Sequence, residues 1–351
     1  MINIFIILLA FKLNICGDKI FQNKSNDQNS NITLINRNLY SYKNLNKNKN
    51  LILGIIETYS INTILPFFKS LIHANFQSCD IIMFVRNVSQ MLINYLKSVG
   101  VFVYEIPEGY KNFPVVKMRW KIYLDFLNGK KNEYDLVLSA DVRDTFFQKD
   151  VFQYYENHTK PFLGIAIEDG TLNEEYNKKW IIDFVGEEKY KIIQNERIIC
   201  AGSILGTSDK FLELARIFWE NLLINFQTTD QGILNYLFYD EKLFKDCIVK
   251  SDNYGPIMTI GLTESKNIIL DKEYNVLNFK GEIASVIHQY DRNIDIMKRV
   301  IKKFCPELLI INEFSNKLNS IIFASLFELF IIIILLKVII NKKYNKNNIY
   351  S

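Results

Sequence analysis

From residue 51 onward, short apolar runs alternate with stretches whose apolar positions recur at helical spacing. LILGIIETY (51–59), DIIMFVR (80–86) and VFVYEIP (101–107) are brief and rich in β-branched residues, which predicts buried strands. Between them, 61–75 reads as a helix with Pro66 near its first turn, and 87–100 as a helix that Gly100 ends. A helix follows at 115–129, where Val116, Trp120, Tyr123, Leu124 and Leu127 share one face. The run DLVLSA (135–140) is then another strand. This β-α-β-α-β-α-β rhythm predicts an α/β fold with a mixed, mainly parallel sheet flanked by helices. Farther on, 162–169 and 198–206 read as strands, 209–225 and 231–239 as helices. Strand-like runs at 267–271 and 284–290 precede a helix at about 292–304.

Both ends are apolar. Residues 1–17 carry an apolar run of about ten residues, too short to span a bilayer comfortably. Small residues follow at Cys16 and Gly17, which predicts a signal peptide or, alternatively, a signal anchor. Residues 18–50 are polar, rich in Asn and Lys and without periodicity, so a disordered stem is expected. Residues 320–340 are long enough to cross a membrane, and Lys342, Lys343 and Lys346 place the tail (341–351) on the cytoplasmic side. Residues 51–305 are then a body lying in the secretory lumen (Golgi or ER) or at the cell surface.

Composition narrows the function classes. A net charge of +4, with scattered basic residues, gives no reason to expect nucleic acid. Cys79, Cys200, Cys247 and Cys305 would permit two disulfides in an oxidising compartment. Sequons stand at Asn23, Asn31, Asn87 and Asn157. Neither a P-loop nor an aligned dinucleotide fingerprint is present.

The chemistry concentrates where the strand 135–140 ends in Asp141-Val142-Arg143-Asp144. Open α/β sheets bind ligands at the carboxyl ends of their strands. Carboxylates there suit a hard divalent cation, and an arginine beside them suits a departing diphosphate. A surface turn closed by internal ion pairs is the plainer alternative. Glu168 and Asp169 end another strand and are acid/base candidates, or a solvated turn. Gly202 permits close backbone approach, for packing or for a sugar. Asp150 reads as a helix N-cap.

In order and spacing, RWKIYLDFL (119–127), YDLVLSADVRDTFFQKDVF (134–152), ICAGSILG (199–206), TDQGILNYL (229–237) and VIHQYDR (286–292) resemble the nucleotide-diphospho-sugar domain of GT-A-fold glycosyltransferases. The resemblance covers about 51–292, with Asp-x-Arg-Asp in place of the usual Asp-x-Asp. It implies a transferase of the hexosyltransferase class. The partners are a nucleotide-sugar donor and a glycan, protein or lipid acceptor. Asp141, Asp144 and His288 would hold a metal, and an imidazole ligand favours Mn²⁺ over Mg²⁺. Arg119 would contact the donor nucleotide, though as one of several helix charges it also reads as solvated. Asp230 and Gln231 would lie near the transferred sugar or acceptor, and Asp230, like Glu168, is a candidate base should the reaction invert. Locally, Thr228 and Gln231 have capping-box spacing, and Asp230 suits the first turn of a helix. A half-buried histidine bonded to the backbone is the plain account of His288. The competing functions are a metal-dependent nucleotide-processing enzyme of another class, disfavoured by the scarcity of histidine, and a non-catalytic lumenal or surface scaffold.

Overall fold

The computed structural model describes residues 49–309, apart from 111, 131, 132, 226 and 242. The expected signal segment, nearly all of the stem, the span at 320–340 and the tail lie outside the described residues. Among those described, no helix is long and apolar enough to cross a membrane.

The first half follows the predicted rhythm. It runs β1 (Lys49–Glu57), α1 (Ile61–Ala74), β2 (Cys79–Arg86), α2 (Gln90–Ser98), β3 (Phe102–Glu105), α3 (Val115–Gly129) and β4 (Tyr134–Ala140). Local chemistry sets the boundaries. Ser60 and Ser89 cap the starts of α1 and α2 by accepting from Thr63 N and Leu92 N. Asn75 and Gly100 take left-handed backbone just past their ends, with φ of 52° and 85°. β5 (Thr145–Phe147) and α4 (Val151–Tyr155) follow, and Asp150 caps α4 through Phe152 N as expected.

The second half holds β6 (Leu163–Thr171), α5 (Glu175–Val185), α6 (Glu187–Ile193), β7 (Arg197–Thr207), α7 (Ser208–Ile224) and α8 (Asp230–Tyr239). Next come β8 (Ile248–Ser251), β9 (Ile257–Thr259), β10 (Ile269–Leu270), β11 (Val276–Leu277) and β12 (Val286–His288). The expected strand at 267–271 shrinks to the two residues of β10, preceded by a single 3-10 turn. The helices α5 and α6 were not foreseen, because their exposed, charged faces dilute the apolar repeat.

The main sheet has the order β3-β2-β1-β4-β7-β6-β8. β1 to β4 are mutually parallel, β7 runs antiparallel to both β4 and β6, and β8 is parallel to β6. This mixed, mainly parallel sheet flanked by helices is the fold class that the alternation of elements predicts. A smaller sheet, β5-β12-β9, sits at the carboxyl end of β4.

Alternation along β1 sends Leu51, Leu53 and Ile55 into one apolar layer, and Ile52 and Ile56 into the other. The first layer packs α3 and α7 on the sheet, with Trp120 edge-on to Phe218 at a centroid distance of 4.3 Å. α1 and α2 cover the second layer.

A second compact unit begins at Ile294 and contains α9 (Ile294–Phe304), whose last turn carries Lys302 and Lys303, favourable for the helix dipole. The two disulfides that the composition would permit are absent among the described residues, where Cys79, Cys200, Cys247 and Cys305 are free thiols. Three of the sulfurs contact polar groups: Cys79 touches Asp80 O, Cys247 touches Phe244 O and Cys200 touches an imidazole.

Candidate metal and donor site

β1 and β4 are neighbours whose chain connections lead away to opposite sides, so a crevice opens beyond their carboxyl ends. A cavity of about 360 Å³ occupies that crevice. Glu57, Thr58 and Tyr59 line one side, Arg119 and Tyr123 another, and Asp141 to Asp144 a third. Thr58 holds a left-handed backbone, φ 59°, which turns the chain sharply as β1 ends.

Asp141 leaves β4 with its N–H donating to Gly202 O, and β12 brings His288 to the same place. Asp141, Asp144 and His288 each offer one ligand atom, all within 4.8 Å of one another. His288 Nε2 lies 3.7 Å from Asp141 Oδ2 and 3.4 Å from Asp144 Oδ1. The imidazole is buried, and its Nε2 has no hydrogen-bond partner. Gly202 makes the approach possible: a Cβ there would stand 2.6 Å from Nε2 and 2.8 Å from Asp141 Oδ2.

Charge in the site is heavily organised. Arg119, buried on α3, donates to Asp141 Oδ1 at 2.6 Å, to Ala201 O at 3.3 Å and to Asp230. Trp120 Nε1 also donates to Asp230 Oδ2, at 2.7 Å. Burial works against a charged Arg119, but Asp230 and Asp141 outweigh it and raise its pKa, so the guanidinium stays ionised. Burial also opposes the charged Asp141 carboxyl, yet Arg119 and then His288 hold it down to about 2. His288 follows the same logic. Burial alone would discharge the ring, while Cys200, Asp144 and Asp141 push its pKa well above the usual histidine value.

That field favours a cation. An unpartnered nitrogen facing two carboxylates is a donor set of the kind that binds Mn²⁺, so these residues fit the metal that the resemblance implies. Arg143 closes the outer side, donating to Asp144 Oδ2 and Asp291 Oδ2 at 2.7 Å each.

The remaining predicted residues sit on the wall formed by β6, β7 and α8. Thr229, not Thr228, caps α8 by accepting from Gly232 N. Thr228 instead donates its hydroxyl to Trp180 O, and the expected capping box does not form. Gln231 turns inward: it accepts from Ala201 N at 3.2 Å and donates to Asn177 Oδ1 at 2.8 Å. Glu168 is buried with Oε1 unpartnered, and burial pushes its pKa up despite the opposing influence of His288.

Sequence reasoning therefore placed Arg119, Asp141, Arg143, Asp144, Gly202, Asp230, Gln231, Glu168 and His288 around one region of the fold. It missed Thr58 and Tyr59, whose signal was their position directly after the strand that borders the switch point. It also missed Cys200 as a partner of His288.

No protein-family model matches the chain, and no curated protein matches it. Among solved structures it is similar to an active-site mutant of LgtC, at 14% identity and a TM-score of 0.44. It is likewise similar to the galactosyltransferase LgtC in complex with donor and acceptor sugar analogues, at 16% identity and a TM-score of 0.42. Each match covers 68% of this chain and 86% of the other. At these values the functional reading rests on the strand order and on the site itself.

Proposed function

We propose that this chain is a metal-dependent glycosyltransferase that moves a sugar from a nucleotide-diphosphate donor to a hydroxyl acceptor. The observation that carries the reading is the convergence of Asp141, Asp144 and the unpartnered Nε2 of His288 beside a cavity at the switch point of the sheet. Asp141, Asp144 and His288 would hold Mn²⁺ or Mg²⁺, and the ion supplies positive charge to a diphosphate leaving group.

The protein's own residues do the rest. Arg119 fixes the Asp141 carboxylate by direct donation and is itself clamped by Asp230. Arg143 is half exposed and brings positive charge to the rim of the cavity where phosphates would enter. Gly202 leaves room against the metal ligands, and Gln231 fixes the backbone at Ala201 beside it. Glu168 is the candidate acid/base group, with a buried oxygen free of partners. Asp230 is held by Arg119 and Trp120, which suits a role in shaping the site. A two-metal hydrolase is disfavoured because the described residues contain one such ligand group.

The body would act on the lumenal or outer side of a secretory-pathway membrane. Support comes from the apolar stretch 320–340 and the lysines that follow it.

The test is thermal stabilisation of the full-length protein by a panel of nucleoside diphosphates and nucleotide sugars, with and without Mn²⁺. One nucleotide that stabilises only with metal supports the reading and identifies the donor class. No response to any nucleotide, with or without metal, favours the non-catalytic scaffold.

A further inference from the structure

His288 is approached from behind by a thiol. Cys200 Sγ lies 3.2 Å from His288 Nδ1, on the ring edge opposite the nitrogen that faces Asp141 and Asp144. Resting on the metal-site reading above, we propose that Cys200 is a positioning residue: its sulfur accepts a hydrogen bond from Nδ1–H, so that Nε2 presents its lone pair to the metal.

The argument begins with the ring. A neutral imidazole carries one N–H, and a ring that ligates through Nε2 must carry that proton on Nδ1. Metal-bound histidines have the second nitrogen fixed by an outer partner, usually a carboxylate or carbonyl. Here the group at that position is a sulfur. Rotation of the ring about its long axis would exchange Nδ1 for a carbon and lose this bond.

The sulfur is itself held. It is fully buried on β7 and accepts from Gly202 N at 3.4 Å. β6 pairs with β7 through Ala166 and Cys200, and Glu168 follows two residues on along β6. Glu168 is 2% exposed and lies on the same face of β6 as Ala166, the residue opposite Cys200. The backbone does not confine the ring in the same way. β12 sets His288 opposite Thr145 on one side and Thr259 on the other, and both hydroxyls are buried without partners. Cys200 is the group that distinguishes the two faces of the ring.

The test measures Mn²⁺ affinity of the full-length protein directly, by the electron paramagnetic resonance signal of free Mn²⁺, with melting temperatures as the folding control. Cys200→Ala is expected to weaken Mn²⁺ binding about 10- to 100-fold, the range for loss of an outer-shell partner. Cys200→Ser, whose hydroxyl accepts the same proton, should restore most of that loss. Equal Mn²⁺ affinity in parent and Cys200→Ala overturns the assignment. So does a serine variant as weak as the alanine one at an unchanged melting temperature. A parent that binds no Mn²⁺ overturns the metal-site reading together with this inference.

Discussion

The two ends of β4 carry cavities of different character. At its start, Tyr134, Asp135 and Leu136 line a cavity of about 740 Å³ with Phe152, Tyr155, His158 and Asp209. At its finish, the cavity above Asp141 is about 360 Å³. The larger one has an apolar floor and an exposed acidic rim, and none of its carboxylates is drawn into a buried ion pair. The smaller one is walled by an arginine buried between two carboxylates, beside a histidine nitrogen with no partner. Size therefore points to the wrong end. Unbalanced polar groups inside a protein are costly, and they persist where a ligand or a reaction compensates them.

The largest effect should come from the buried charges. Asp230→Ala leaves Arg119 buried with Asp141 as its remaining carboxylate, and Trp120 Nε1 without its acceptor. Breaking such a pair costs about 3 kcal/mol, read as a lower urea midpoint. A loss below about 1 kcal/mol, the scale of exposed ion pairs, would mean that the clamp is not structural and that the contrast between the two ends is overstated.

Asp141→Asn comes next, since it keeps the shape of the site and removes a ligand charge. Loss of an outer-shell partner already costs 10- to 100-fold. A lost ligand should therefore lower transfer, and Mn²⁺ affinity with it, by about 100-fold, roughly 2.7 kcal/mol. Resistance to urea should fall less than in Asp230→Ala, because Arg119 keeps Asp230 as a buried partner and the Asp141 side chain is 41% exposed. Full activity in Asp141→Asn would remove the metal from this end of the sheet.

Glu168 sharpens the comparison through pH. Its folded pKa is raised, chiefly by burial. The folded state then holds its proton where the unfolded state, with a pKa near 4.3, has released it. Stability should fall as pH rises from about 4.3 through the folded value, at up to about 1.4 kcal/mol per pH unit. Glu168→Gln lacks that proton and should be flatter across the window, gaining on the parent toward neutral pH. Parallel pH–stability curves for the two proteins would show that Glu168 ionises at no cost.

Much of this was readable before the structure because the relevant signals are local. A β-branched run ending in Asp141-Val142-Arg143-Asp144 specifies both a strand and what lies beyond it. Ser60, Ser89 and Asp150 act as caps because side-chain oxygens reach backbone two or three residues away. What stayed hidden depends on residues distant in sequence. The pairing of Arg119 with Asp230 spans 111 residues, and that of Cys200 with His288 spans 88. The pairing of β7 with β4 and of β12 with β5, and the packing of α8 on β7, decide both, and no periodicity encodes such placements. Gln231 illustrates the limit of local rules. Capping-box spacing tied it to Thr228, yet its amide is used by Ala201 and Asn177 once β7 and α5 pack against α8.

The smallest effect belongs to the other end of the sheet. Asp209 lies in the first turn of α7, where Thr207 makes no side-chain cap, so the carboxylate is the local complement to the helix dipole. Asp209→Asn should cost about 0.3–1 kcal/mol at low salt, shrinking as salt is added. Mn²⁺ affinity and transfer should stay at parental values, because no contact connects Asp209 to Asp141, Asp144 or His288. A salt-independent loss would point to packing rather than to the dipole. A variant that lost transfer while keeping its metal would transfer the functional argument to the larger cavity, since the rim would then contribute something that the metal ligands do not. The asymmetry between the two ends would then reflect a division of labour along β4, with charge handled at its finish and an apolar partner at its start.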